Sequence, residues 1–114
     1  MSSSDQDAFV AKVRRIADAN FPAVKDKLPS TEQVYVVKTE EGLSLVVAFS
    51  SEGIRVEKGD HPQPISTMTM SQADLDLLLQ GQLDGVKAFL RGRVRVQGDV
   101  FKTMALNSIL KGAQ

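Results

Sequence analysis

The chain contains no cysteine. That excludes disulfides, thiolate metal sites and a cysteine nucleophile, and it fits a reducing compartment. Aromatic residues are scarce, with no tryptophan and one tyrosine, so Val, Leu, Met and Ile must fill the interior. No apolar run reaches the roughly 18 residues that would span a bilayer. The opening MSSSDQD is polar and acidic, the reverse of a secretory signal or presequence, so the cytoplasm is the expected compartment. Catalytic chemistry is equally thin. His61 is the single histidine and sits in a turn-rich loop between Asp60 and Pro62, where solvent exposure is expected. No carboxylate near it has the spacing of a zinc site. Asp74 and Asp76 fall on different faces of a helix, and no glycine pattern matches a P-loop or dinucleotide fingerprint. Neither an enzyme, a metal site nor a cofactor is expected. Nucleic-acid binding would need cations interleaved with stacking aromatics. The basic part of the chain offers only Phe89 and Phe101, both better used inside.

What is present is enough for one domain, residues 1–114, that buries roughly two-thirds of its unfolded surface. Net charge is zero, but it is unevenly spread. Residues 1–84 carry 8 basic and 13 acidic side chains, and residues 85–114 carry 6 basic and 1 acidic. The basic quarter could face an anionic partner such as a membrane. It could equally be a solvated strand edge protected by arginine.

The spacing predicts a first helix from near Ser4, with Asp7 completing a cap and Phe9, Val13, Ile16 and Ala17 on one stripe. Pro22 should end or kink it, with one further turn before Pro29. Strands follow at 34–39, 43–50 and 54–59, the first two joined by a short glycine-containing turn. In the second strand Leu43, Leu45, Val47 and Phe49 share an apolar face. Ser66–Ser71 alternates, with Met68 and Met70 inward. Ser71 caps a helix that Gly81 stops. Asp84 caps a short helix ending at Gly92, and 93–98 is a strand with Val94 and Val96 inward. Asp99 caps a last helix from Val100 to about Lys111. That helix is apolar around far more than the usual stripe. It must be covered on two sides, lie in a dimer interface, or close over something apolar.

The run STMTMSQADLDLLLQGQLDGVKAFLRGRVRVQGDVFKTMALNSIL resembles the C-terminal half of the sterol carrier protein type 2 domain. The likeness is carried by Met68-Thr69-Met70, Asp74 to Gly81, Ala88-Phe89, Gly92, Arg93 to Gln97, Gly98-Asp99 and Val100 to Leu110. It departs at Gly85, where the family often has proline. The ending GAQ also differs from a peroxisomal tripeptide, so a cytosolic setting is the expectation. The resemblance implies an α+β fold: a mixed five-stranded sheet with helices on one face and an apolar tunnel bordered by the last helix. It further implies non-catalytic binding of fatty acids, acyl-CoA, sterols or similar lipids.

On that reading the tunnel wall comprises Met68, Met70, Leu75, Leu78, Leu79, Phe89, Val94, Val96, Phe101, Met104, Ile109 and Leu110. Lys87 and Arg91 are candidates for a carboxylate or phosphate head group, while Arg93 and Arg95 serve the surface. A buried methylene contributes about 0.8 kcal/mol, so fit rather than chemistry would set affinity. An empty void of about 300 Å³ would cost on the order of 7 kcal/mol, so the unliganded protein should partly collapse or retain a scavenged lipid. Two other readings stand. One is an interaction domain with a filled core, docking a partner or a second copy through the apolar last helix in a weak homodimer. The other is an accessory subunit presenting a prenyl-quinone intermediate.

Overall fold

The computed structural model describes residues 3–111; the side chains of residues 3, 106 and 108–111 lie outside the described set. The elements are α1 (Ser3–Val24), a 3-10 turn (Lys25–Lys27), β1 (Gln33–Thr39), β2 (Ser44–Ser50), β3 (Gly53–Lys58), β4 (Ser66–Met70), α2 (Gln72–Leu79), α3 (Gly85–Leu90), β5 (Arg95–Gly98) and α4 (Val100–Lys111). The five strands form one mixed sheet in the order β3-β2-β1-β4-β5. Only the β1–β4 pair is parallel. This is the mixed five-stranded α+β architecture expected.

Register decides which side chains meet. Val37 lies opposite Leu45 and Met68, Val47 opposite Val56, Phe49 opposite Ile54, and Met68 opposite Val96. Side chains alternate along a strand, so all of these project from one face, where α1, α2 and α4 contribute facing residues. The opposite face carries Lys38, Ser44, Arg55, Glu57, Thr67, Thr69, Arg95 and Gln97 in its alternate positions. Val36 and Ala48 sit near its centre and are buried.

Three local expectations are corrected. Pro22, expected to end or kink α1, does not end it: the helix runs on to Val24. The proline forfeits one hydrogen bond near the helix terminus, and Val24, buried against Leu28, Tyr35 and Phe49, holds the last turn in place. The helix already runs from Ser3, and among the described residues the Asp7 carboxylate accepts from Lys58 on β3 at 3.1 Å rather than from a backbone N–H. The strand expected from residue 93 begins at Arg95, because the N–H groups of Arg93 and Val94 both bond the Ala88 carbonyl as α3 ends. The glycines that terminate α2 and α3 behave as the sequence requires. Gly81 and Gly92 have φ of 74° and 77°, the left-handed region glycine enters without penalty. The following N–H bonds five residues back, from Gln82 to Leu77 and from Arg93 to Ala88. The three side-chain caps at Ser71, Asp84 and Asp99 are all formed.

Candidate functional site

Between the sheet face and helices α1, α2 and α4 lies an apolar cavity of about 180 Å³. The first helix supplies Val13, Ile16, Ala17 and Asn20; α2 supplies Leu75, Leu78 and Leu79; α4 supplies Thr103, Met104 and Asn107. Strands β1 to β4 line the floor with Val37, Leu45, Val47, Phe49, Ile54, Val56, Met68 and Met70, and Val96 of β5 and Val94 just before it extend it. Gly85, the first residue of α3, completes the wall. The lining is open to solvent along part of its boundary.

Eight of the twelve residues expected in the wall therefore border one space: Met68, Met70, Leu75, Leu78, Leu79, Val94, Val96 and Met104. Two do not. Phe89 is half-buried on α3 but outside the cavity. Phe101 is 90% exposed. Ile109 and Leu110 have side chains outside the described set.

The position of Phe101 has a specific cause. Thr103 is only 3% exposed and Ser66, on β4, 1%. Their hydroxyls are 2.6 Å apart, and Thr103 Oγ1 donates to the Asp99 carbonyl at 2.7 Å. A threonine hydroxyl has one proton, so Ser66 donates to Thr103. This pair fixes the rotation of α4 with Thr103 inward. At about 100° per residue, positions 101 and 105 then lie about 160° away. Phe101 and Ala105 accordingly face out, while Met104 and Asn107 face in. Among the described side chains of α4, Phe101, Lys102 and Ala105 face solvent, and the helix packs against α1, α3 and β5.

Lys87 and Arg91 are exposed and stand apart from the cavity. They line an open groove with Gln82, Leu83, Asp84 and Gly81. Leu78 and Asn107 border both spaces, so the groove adjoins the cavity at those two side chains. Arg93 is engaged elsewhere, in an ion pair with Asp74 that raises the guanidinium pKa. Lys12 on α1 bridges to Asp76 on α2 at 2.5 Å, and its hydrogen bond holds that carboxyl below the usual range. The two acids of α2 thus serve two different neighbours, and the Lys12 bridge ties α1 to α2.

His61 is half-buried rather than fully exposed. Its Nδ1 accepts from the Gln63 N–H at 3.1 Å. Its own backbone N–H and Lys38 hold the Asp60 carboxyl below its ordinary range. Among the described residues no group of three His, Asp or Glu side chains could hold a metal, and no helix is long and apolar enough to cross a membrane.

Sequence comparison bears on this geometry. The pattern of the family described as "SCP-2 sterol transfer family" matches residues 14–111. The fatty acid-binding protein of Yarrowia lipolytica is 29% identical over 91 residues, which is 80% of this chain and 64% of that protein. Mouse stomatin-like protein 1 is 32% identical over 85 residues, 74% of this chain but 19% of that protein. The chain thus spans less than two-thirds of either relative. A solved structure of the UbiJ-SCP2 ubiquinone synthesis protein superposes with a TM-score of 0.75 at 20% identity, covering 94% of this chain and 96% of that one. At that identity it shows a shared fold.

Proposed function

The chain belongs to the SCP-2 sterol transfer family, and from that premise we propose that it binds a lipid or fatty-acyl ligand in the apolar cavity and carries or presents it unchanged. The observation that supports this reading is the cavity itself, which is walled almost entirely by aliphatic, methionine and phenylalanine side chains. At about 24 cal/mol per Å³, leaving 180 Å³ dry and empty would cost at most about 4 kcal/mol, less where water enters the open side. A guest recovers that cost, and each methylene it buries adds about 0.8 kcal/mol. The space exceeds the ~150 Å³ that admits benzene and falls short of the ~300 Å³ of a drug-sized site. A long chain must therefore widen it, and α4, whose Phe101, Lys102 and Ala105 already face solvent, is the element to give. Methionines at 68, 70 and 104 suit a wall that adapts to several guests.

In this reading the polar end of the ligand leaves past Leu78 and Asn107. A carboxylate or phosphate there meets Lys87 and Arg91 in the adjoining groove. The test is titration with a fluorescent fatty acid. Saturable binding that is abolished by Leu78→Arg is expected. Unchanged uptake by a folded Leu78→Arg protein refutes the site.

One observation favours a second reading. Phe101 at 90% and Leu90 at 76% exposure are the large hydrophobic side chains left in solvent among the described residues. Exposed Lys87 on α3, Arg91 at its C-terminal end and Lys102 on α4 accompany them. That combination suits transient contact with an anionic membrane, and it is compatible with ligand carriage.

A further inference from the structure

Two amides break the apolar wall. Asn20 continues the α1 stripe Val13-Ile16-Ala17 at helical spacing, and Asn107 continues the α4 stripe Thr103-Met104. These two helices pack against each other. Both asparagines are half-buried, and neither side chain hydrogen-bonds another described residue. The remaining polar side chain of the wall, Thr103, spends its hydroxyl on Ser66 and Asp99. Among the described residues, the hydrogen-bonding side chains offered to the lumen without a partner are therefore two uncharged amides.

Gly85 shapes this arrangement. A Cβ placed there would lie 2.4 Å from Asn107 Oδ1 and 3.0 Å from its Cγ. The absence of a side chain at residue 85 is what lets the Asn107 amide lie against the start of α3, at the border of cavity and groove.

We propose that Asn20 and Asn107 form a polar subsite for an uncharged hydroxyl or carbonyl at one end of an otherwise apolar ligand. This rests on the reading that the cavity holds an amphiphile, and it adds the class of group recognised. An amide can donate and accept, so it serves an alcohol, an ester or a thioester carbonyl equally. A half-buried amide in an apolar wall gains most from a guest that brings its own polar atom. Lys87 and Arg91 lie farther out and are not needed for a neutral ligand.

The experiment measures displacement of anilinonaphthalene sulfonate by 1-dodecanol and by dodecane. Asn20→Leu and Asn107→Leu should each weaken dodecanol about fivefold, the worth of one hydrogen bond, and leave dodecane binding unchanged or tighter. Retained dodecane binding is also the control for folding. Gly85→Ala should weaken dodecanol as Asn107→Leu does, by displacing the amide without adding apolar wall at residue 107. Equal loss of both ligands in the variants would mean the asparagines only shape the wall, and overturns the subsite. Dodecanol binding indifferent to all three changes overturns it too. If the wild-type protein bound neither ligand, the cavity reading and the subsite would fail together.

Discussion

Replacing Ala17 with leucine should make the protein more stable and a worse binder at once. Ala17 is partly buried on α1 and faces the cavity. Leucine adds three carbons there without lowering helix propensity much. If they enter vacant space, they gain about 2.4 kcal/mol at ~0.8 kcal/mol per methylene. Ordering the longer side chain costs about 0.5–1 kcal/mol, leaving about 1.5 kcal/mol. For a domain of this size that raises Tm by about 5 °C. The same three carbons exclude an equal length of ligand, so binding of a guest that fills the space should weaken about fiftyfold. Thermal melting and fluorescent fatty-acid titration on one preparation read both effects. An Ala17→Leu protein that loses about 1–3 kcal/mol of stability would show overpacking of a filled core and refute the cavity. Unchanged affinity in a stabilised variant would place the ligand elsewhere.

Other perturbations test the polar contacts and the exposed face. Thr103→Val strands the buried Ser66 hydroxyl and should cost about 2 kcal/mol in urea denaturation. Adding Ser66→Ala should restore much of that, and a double change as costly as the two singles summed would deny the coupling. Asp76, held below its ordinary range by Lys12, contributes stability that is present above its unfolded pKa and lost as pH falls through the lower folded value. Side chains 38% and 33% exposed limit the Lys12–Asp76 bridge to about 1 kcal/mol at most. Asp76→Asn should show that deficit at neutral pH, with the gap to wild type closing below about pH 4; a gap independent of pH would contradict the assignment. Phe101→Ser should reduce sedimentation with vesicles containing phosphatidylserine while leaving ligand binding in solution intact. A concentration-dependent dimer that disappears in the same variant would point to a second copy instead.

Much of this fold is legible in the sequence because its punctuation is local. Ser71, Asp84 and Asp99 each precede a helix that they cap, and the helix-stopping glycines adopt positive φ. Period-two alternation in β2 and β4 identifies the face that meets the helices. What the sequence conceals depends on contacts between distant residues. The Ser66–Thr103 bond, 37 residues apart, turns Phe101 outward, and no helical wheel contains it. The expected wall drew only on the C-terminal half. Val13, Ile16 and Ala17, and the β2 alternation, read as ordinary core, because lining a cavity and filling a core demand the same residues. Asn20 and Asn107 do leave a signal: each is a polar residue at an apolar stripe position. Pro22 misleads because its local cost is small beside the burial of Val24.

The central claim is that the interior accepts an amphiphile. Native mass spectrometry of the purified protein, before and after titration with palmitate, tests it most directly. The account predicts adducts of lipid mass on the 12.4 kDa chain, either carried through purification or appearing with a single saturating stoichiometry. A bare mass throughout, with palmitate never retained, would contradict it.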